Sequence, residues 1–336
     1  MRYAKFFSFT TLLFMAGLIS CDSGEDDDDF LGNWVEMPDF EGFRRSSAVS
    51  FVINDVAYVG TGFNGDEDEY YQDFWRYNVN QNFWQRVDSL PGVGRSAAVA
   101  FSIGEFGYVG LGFDGDDELG DFYRYNSATD EWTQIADFGG SARRNATAFA
   151  LGGRGYVGTG DDGNTLKDFW EYDPATDSWR QIPSLGGSKR ENSIAFVIGD
   201  FAYVGTGSDN GALELDFWRF DPTILADSDG FPWVRMMDLD EEDDYEIIRE
   251  NATAFTMGGL GYIVAGVRGS VTSSVWEYDP VTDLWIEKTP LEGAARRDAV
   301  SFSVGNRGFV TTGRTGSSYF DDIWEFEPFE EEDEDD

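Results

Sequence analysis

Residues 42–62, GFRRSSAVSFVINDVAYVGTG, contain two short apolar runs that are separated by a tight polar turn. Closely similar stretches return as GRSAAVAFSIGEFGYVGLG from Gly94 and as ARRNATAFALGGRGYVGTG from Ala142. Within each run, apolar residues alternate with small or polar ones, which is typical of a half-buried β-strand. The stretch therefore predicts a β-hairpin that the chain repeats.

The repeat is marked by an arginine that stands six residues before a phenylalanine. The spacings between successive arginines are 50, 48, 47, 59 and 47 residues. A period near fifty residues indicates a repeat architecture, in which each copy is one supersecondary unit. The pairs are Arg45/Phe51, Arg95/Phe101, Arg143/Phe149, Arg190/Phe196, Arg249/Phe255 and Arg296/Phe302.

Each of the first five copies contains four predicted strands. In the first copy, the alternating run that ends in Phe51 is followed by YVGTG from Tyr58, by DFWRYN at 73–78 and by a run that opens at Trp84. Turn residues bound every run, and the same order returns in the later copies. The fourth copy has longer gaps on both sides of Trp233, and these loop insertions account for the 59-residue spacing.

The sixth copy lacks a fourth strand after Trp324-Glu325-Phe326. A matching segment occurs at the other end of the repeats, where Trp34 stands eleven residues before Arg45, as four of the other five fourth-strand tryptophans stand before the next arginine. We therefore predict an all-β protein, a six-bladed β-propeller whose last blade is closed by the N-terminal strand around Trp34.

These motifs resemble Kelch repeats. The resemblance rests on the paired glycines after the second strand, the W-x-Y-D of the third strand and the tryptophan of the fourth, and it covers residues 33–328. It implies a Kelch-type propeller of the galactose oxidase-like superfamily. It says little about activity, because one fold supports many functions.

Composition excludes several classes of function. The formal net charge of −40 disfavours nucleic acid, because phosphates would be repelled. The chain has no histidine, and Cys21 is its single cysteine, so an internal disulfide, Cys–His catalysis and a histidine-ligated metal site are excluded. We expect no cofactor and no metal.

The first twenty residues have a basic start followed by a short apolar run, which predicts a secretory signal over residues 1–20. Leu18-Ile19-Ser20-Cys21 resembles a bacterial lipobox, and the resemblance implies lipidation of Cys21. The alternative is an ordinary signal peptide with an incidental cysteine.

Residues 21–32 predict an acidic tether, and residues 329–336 an acidic tail. The aspartate directly after Cys21 resembles the inner-membrane retention signal of enteric lipoproteins, whereas the acidic run resembles the surface-export tag of Bacteroidetes-like lipoproteins. The run of four aspartates favours the second interpretation. We therefore expect a monomer held by its lipid in the bacterial outer membrane, facing the cell surface.

A ligand is expected on the face that carries the 2–3 loops and the 4–1 connections, because the turns on the opposite face are short. The repeated arginines precede the innermost strand and are predicted to surround the channel mouth there. Two interpretations remain open. The guanidinium groups bind an anionic group of a ligand, or each bonds neighbouring carbonyls and acidic groups and joins the blades. The candidate ligand-binding arginines are Arg45, Arg95, Arg143, Arg190, Arg249 and Arg296.

Loop aromatics on this face, Tyr70, Tyr71 and Tyr319, are candidates for stacking on a sugar ring or a peptide. The acidic loops offer clustered oxygens, as at Asp114 and Asp116, without matching a calcium-loop pattern, and solvated charge is the alternative. No acidic side chain is assigned to a metal.

Three functions are weighed. The first is a surface-tethered, non-enzymatic binding module for a glycan or protein partner. The second is a cofactor-free carbohydrate enzyme that resembles a Kelch-type sialic acid isomerase, with Glu191 and Glu250 as weak catalytic candidates beside the arginines. The third is a structural envelope component. The copper chemistry of galactose oxidase is excluded, because it needs histidines.

Overall fold

The computed structural model describes residues 32–226, 230–240 and 246–330. The predicted signal, Cys21 and most of the predicted tether and acidic tail lie outside these residues. The described residues form six four-stranded antiparallel sheets, numbered here as blades 1 to 6 in chain order of their first strands. The prediction of an all-β, six-bladed propeller is confirmed.

Within each blade the strands are hydrogen-bonded in the order first, second, third and fourth. The first strands are Val49–Ile53, Val99–Ile103, Thr147–Leu151, Ile194–Ile198, Thr253–Met257 and Val300–Val304. The second strands are Val56–Gly60, Phe106–Gly110, Arg154–Gly158, Phe201–Gly205, Leu260–Val264 and Arg307–Thr311. The third strands are Phe74–Asn78, Phe122–Asn126, Phe169–Asp173, Trp218–Phe220, Val275–Asp279 and Ile323–Glu327. The fourth strands are Phe83–Val87, Glu131–Ile135, Ser178–Ile182, Trp233–Arg235, Leu284–Lys288 and, for blade 6, Asn33–Met37.

Short hairpins and one 3₁₀ helix lie in the loops between the strands of these sheets. Two-residue hairpins extend the 2–3 loops of four blades, and blade 4 carries the 3₁₀ helix Pro222–Ala226 between its third and fourth strands. The hairpins are Phe63–Asn64/Glu69–Tyr70, Ser208–Asp209/Ala212–Leu213, Val267–Arg268/Ser270–Val271 and Arg314–Thr315/Ser318–Tyr319. Across the described part of the chain, no helix has the length and apolar character needed to span a membrane.

The first strands contact one another around the axis and enclose a channel. Alanine, serine and threonine dominate the channel wall, as at Ala98, Thr147 and Ser193. Larger side chains of the same strands point between the blades. Phe51 stacks on Tyr58 of its own blade, with ring centroids 5.0 Å apart, and reaches Gly107 of the next blade. A Cβ at Gly107 would lie 2.3 Å from the Phe51 ring, so this close approach requires glycine.

In four blades the indole N–H of the fourth-strand tryptophan donates to a carbonyl of the preceding blade and joins the outer edges. The Trp132 indole N–H donates to the Asp88 carbonyl of the preceding blade at 2.9 Å, and Trp179 donates to the Ala136 carbonyl at 3.1 Å. Trp34 makes the same bond from the N-terminal strand, to the Thr289 carbonyl of blade 5 at 3.1 Å. Trp34 is fully buried, and its strand pairs with the third strand of blade 6 from Asn33↔Glu327 to Met37↔Ile323. The closing strand therefore repeats the contacts of an ordinary fourth strand.

Candidate functional site

The six repeated arginines are buried beneath the face that carries the 2–3 and 4–1 loops. Their relative exposures are 0 or 1%. In blade 1 the Arg45 guanidinium donates to both carboxylate oxygens of Asp73, at 2.6 and 3.1 Å, and to the Thr61 carbonyl at 2.9 Å. The second Asp73 oxygen also accepts the Trp75 indole N–H. The guanidinium is thus enclosed by its own blade.

The same arrangement recurs in other blades. Two-pronged pairs form with the aspartate that precedes the third strand, at 2.6 to 3.0 Å. Arg190 reaches the Asp216 carboxylate through one nitrogen and the Asp216 carbonyl through the other. The two-pronged pairs are Arg95–Asp121, Arg143–Asp168 and Arg296–Asp322. Each guanidinium also donates to a carbonyl in the turn after the second strand, which lies between paired glycines in blades 1 to 4. Thr159, for example, has a φ of 59° there. Because this conformation is unusual for a β-branched residue, the backbone is locally constrained to direct its carbonyl at the arginine.

The backbone of the same arginines joins neighbouring blades. The Arg95 amide donates to the Tyr71 carbonyl of blade 1, and its carbonyl accepts from the Gly62 amide. Each arginine therefore bonds the preceding blade through its main chain and its own blade through its side chain. The hypothesis that these guanidinium groups face a ligand does not fit this burial, whereas the blade-joining interpretation describes it.

The paired aspartates of blades 1, 2, 3 and 6 keep their charge despite burial. Burial alone would raise the pKa of Asp121, but the hydrogen bond and charge of Arg95 outweigh it, and the pKa lies below its usual value. The same balance lowers the pKa of Asp73, Asp168 and Asp322. The carboxylates are therefore held in the ionised form that the arginines require.

Blade 5 lacks this aspartate. Ser274 occupies the position, and its hydroxyl and carbonyl accept from Arg249 at 2.9 and 3.1 Å. The carbonyls of Ile247, Glu246 and Ala265 accept the other N–H groups. Burial, followed by the charge of Arg268, lowers the pKa of Arg249 to about 10. Arg249 is therefore fully hydrogen-bonded without a carboxylate at the position that the other blades fill.

The channel mouth is formed by the residues two positions after the arginines. Each adopts a left-handed φ of 51 to 57°. Their backbones form a closed belt, in which each amide donates to the carbonyl of its counterpart in the preceding blade at 2.8 to 3.2 Å. The belt residues are Ser47, Ala97, Asn145, Asn192, Asn251 and Asp298. Asparagine, aspartate and small residues suit this conformation.

A depression of about 440 Å³ lies over the belt, and charged side chains of both signs line it. The Asp298 carboxylate accepts from Arg297 at 2.9 Å, from Arg314 at 3.2 Å and from the side-chain amide of Asn251 at 2.7 Å. Arg144 lies at 3.3 Å from Asp161 of its own blade. These half-buried cations differ from the repeated arginines, because a ligand can reach them from solvent.

The candidate carboxylates Glu191 and Glu250 both line this depression. The Glu191 carboxylate accepts a hydrogen bond from the side-chain amide of Asn145 at 2.7 Å. The Glu250 carboxylate accepts one from the Ser208 hydroxyl at 2.5 Å. Both are half-buried in adjacent blades and hydrogen-bonded across a blade boundary. Their place suits hydrogen bonding to a polar ligand as well as proton transfer.

Aromatic rings form an arc along one side of the mouth. Tyr319 of blade 6 makes an edge contact with Phe63, at 6.5 Å between centroids, and Phe63 packs on Tyr70 at 4.5 Å. Tyr70 in turn contacts Phe113 of blade 2 at 6.1 Å, and the Arg144 guanidinium lies 5.0 Å from the Phe113 ring centroid. The structure thus brings Tyr70 and Tyr319 to one rim, where both are half-buried.

Tyr71 points away from this arc and is buried. Its ring lies 4.2 Å from the Arg45 guanidinium and stacks on Phe43, with centroids 5.7 Å apart and ring planes 7° apart. Its hydroxyl donates to Glu67, and burial together with that hydrogen bond raises the pKa of the Tyr71 hydroxyl. Phe43, which sequence reasoning did not select, is 61% exposed beside it.

The acidic loops are ordered by their own backbone. Asp114 accepts the amides of Asp116 and Asp117 at 3.0 and 2.9 Å, and these bonds lower the pKa of Asp114. Across the described residues, no group of three or more acidic side chains is arranged to hold a metal ion.

Comparison with known proteins identifies the class. The sequence matches the KLHDC2/KLHL20/DRC7 Kelch-repeats domain over residues 35–207 and the Kelch motif over residues 248–292. The chain belongs to the Kelch-repeat family. A search of curated protein sequences found no significant match.

Among solved structures, the fold is similar to that of YjhT. The TM-score is 0.71 at 15% sequence identity, and the alignment covers 85% of this chain and 95% of YjhT. At this identity the similarity concerns the fold alone. A Kelch propeller supports a protein-interaction module in general terms.

Proposed function

We propose that the protein is a surface-tethered binding module that holds a protein or glycan partner on the face that carries the 2–3 and 4–1 loops. The observation that supports this proposal most directly is the concentration of half-buried aromatic rings and accessible charges around the mouth. Backbone hydrogen bonds of the belt, the isolated bridges and the short hairpins hold many of these groups, which keeps the ordering cost of binding low. The repeated arginines serve binding indirectly, by holding the loops in place.

The test is binding to peptide and glycan arrays by the chain from Asp22 onward, which retains every strand of the propeller. Arg144→Glu with Arg314→Glu reverses two charges at the mouth and is expected to abolish saturable binding. Arg180→Glu with Arg235→Glu is the matched control, because both are exposed cations on fourth strands, where they pair with Glu171 and Asp238. If the control and the mouth variant lose binding equally, the face is not the binding surface.

The tethering proposal rests on the lipobox-like sequence before Cys21. Replacing Cys21 with serine is expected to abolish incorporation of labelled palmitate in a bacterial host and to release the protein from membranes. Protease treatment of intact cells then reports whether the propeller faces outward. A Cys21→Ser protein that stays in the membrane fraction would contradict the anchor.

A cofactor-free carbohydrate isomerase is the second candidate, and the observation that favours it is the place of Glu191 and Glu250 in one depression. One-dimensional NMR of reducing sugars follows anomer exchange directly. If the protein accelerates exchange and Glu191→Gln or Glu250→Gln removes the acceleration, the site is catalytic. Binding without acceleration leaves the module non-enzymatic.

A further inference from the structure

Blade 1 carries a second concavity on the same face, outside the channel mouth. This groove has a volume of about 620 Å³, within the range of ligand sites in proteins. Its aromatic wall comprises Phe43, Tyr70, Tyr71 and Trp75. The ring of the buried Tyr71 stacks on one side of the Phe43 ring. This contact holds the exposed phenyl ring parallel to Tyr71 without a bound partner.

Carboxylates line the groove beside this wall. Glu67 and Glu69 are exposed, within a loop whose sequence from Asp66 to Glu69 is entirely acidic. Asp73 also lines the groove, but Arg45 already balances its charge. Among the described lining residues, Arg86 supplies the positive charge. When the Arg45–Asp73 pair is set aside, Glu67 and Glu69 outweigh Arg86, so the net charge of the groove is negative.

From this juxtaposition we infer that the blade 1 groove binds a lysine- or arginine-containing segment of a protein partner, an inference that rests on the proposed binding function. A cation that lies over the exposed face of Phe43 meets the negative face of the ring, while Glu67 and Glu69 provide ionised hydrogen-bond acceptors. The net charge of −40 attracts such a partner at long range. A neutral oligosaccharide gains nothing from this charge.

Sequence variation among the blades supports the assignment. The position of Phe43, two residues before the repeated arginine, holds Val93, Ser141, Ser188, Ile247 and Ala294 in the other blades. The arginine bond to the carbonyl at this position does not require an aromatic side chain, since Arg143 makes it to Ser141. The phenyl ring of Phe43 is therefore not explained by the architecture of the repeat.

The experiment measures fluorescence anisotropy of labelled hexaarginine, hexalysine, hexaglutamate and Gly-Ser peptides with the chain from Asp22 onward. The decisive variant is Phe43→Ala, which changes no charge. It is expected to weaken binding of the basic peptides about tenfold. Phe83→Ala is the matched control, because Phe83 is 51% exposed in the same blade at the opposite face, and it is expected to change affinity less than about twofold.

A second pair of variants separates the groove from diffuse attraction. Glu67→Gln with Glu69→Gln is expected to weaken binding and to reduce its dependence on NaCl. Glu105→Gln with Glu131→Gln removes the same charge from exposed positions at the opposite face and is expected to have little effect. Equal losses in the two double variants would assign the binding to net charge and overturn the inference.

Three further outcomes overturn it as well. No binding of basic peptides, or binding that Phe43→Ala leaves unchanged, removes the groove from the binding surface. Salt-insensitive binding of a neutral oligosaccharide that depends on Phe43 makes the groove a glycan site instead. In each of these cases, the array experiment still tests the proposed function separately. If Arg144→Glu with Arg314→Glu abolishes array binding, the proposed function stands and only the assignment of the groove fails.

Discussion

Wherever the aspartate is present, the repeated arginine has the same neighbours: a carboxylate, a carbonyl in the turn after the second strand and the preceding blade. Sequence shows an arginine at each copy, but it does not show whether the side chain faces solvent. The aspartate partners stand 25 to 28 residues further along the chain. They are part of the visible motif DFW or DFY in four copies, and this motif was the available signal for the pairing.

Asp168→Asn leaves a side chain of similar shape and removes the charge that faces Arg143. We expect a loss of about 3 kcal/mol in the free energy of unfolding near neutral pH, because a buried arginine loses its counter-ion. The folded pKa of Asp168 is below its unfolded value, so this contribution is fully present above about pH 4 and disappears as pH falls through the folded pKa. Urea unfolding of both proteins between pH 7 and pH 3 measures it, and a difference that does not shrink at low pH would contradict the assignment.

Ser274→Asp supplies the carboxylate that blade 5 lacks. We expect stabilisation by about 1–3 kcal/mol, because the new charge would face Arg249 at the position where the other blades carry aspartate. Val281→Asp adds the same charge at a site that is 90% exposed and is expected to be neutral. Thermal and urea unfolding compare the three proteins, and a destabilised Ser274→Asp would show that blade 5 is packed around serine.

Elements were predicted from sequence more completely than side-chain roles. Alternation, turn residues and a fixed period locate every strand of the blades, and the unmatched Trp34 segment identifies the closing strand. The closed belt at the mouth was not predicted, because its bonds link backbone groups whose left-handed conformation has no strict sequence signature. Asparagine at Asn145, Asn192 and Asn251 was the available hint.

Trp34→Ala tests the closing strand. The side chain is fully buried and its indole bonds blade 5, so we expect a loss of about 3–5 kcal/mol in the free energy of unfolding. Phe329→Ala is the control, since that ring is 69% exposed just beyond the last strand. Unfolding followed by tryptophan fluorescence compares the two variants. Equal stability would mean that the stability of the propeller does not depend on closure by the Trp34 strand.

At the scale of the whole molecule, the proposed binding surface and the architecture occupy different layers of one face. The repeated arginines and the belt form a buried layer that joins the blades, while Tyr70, Tyr319, the depression and the blade 1 groove lie above it. Sequence predicted the face correctly as the place where varied loops gather, but it could not separate these layers, because depth depends on loops from neighbouring blades. The proposed binding function belongs to the outer layer.

The measurement that tests this separation most directly is arginine footprinting of the native protein with phenylglyoxal, read by peptide mass spectrometry. The account predicts rapid modification of Arg44, Arg180 and Arg235, whose side chains are 65, 59 and 57% exposed. It predicts protection of all six repeated arginines until the protein unfolds in urea. Modification of the repeated arginines at the rate of Arg44 in the folded protein would contradict the account and return them to the binding surface.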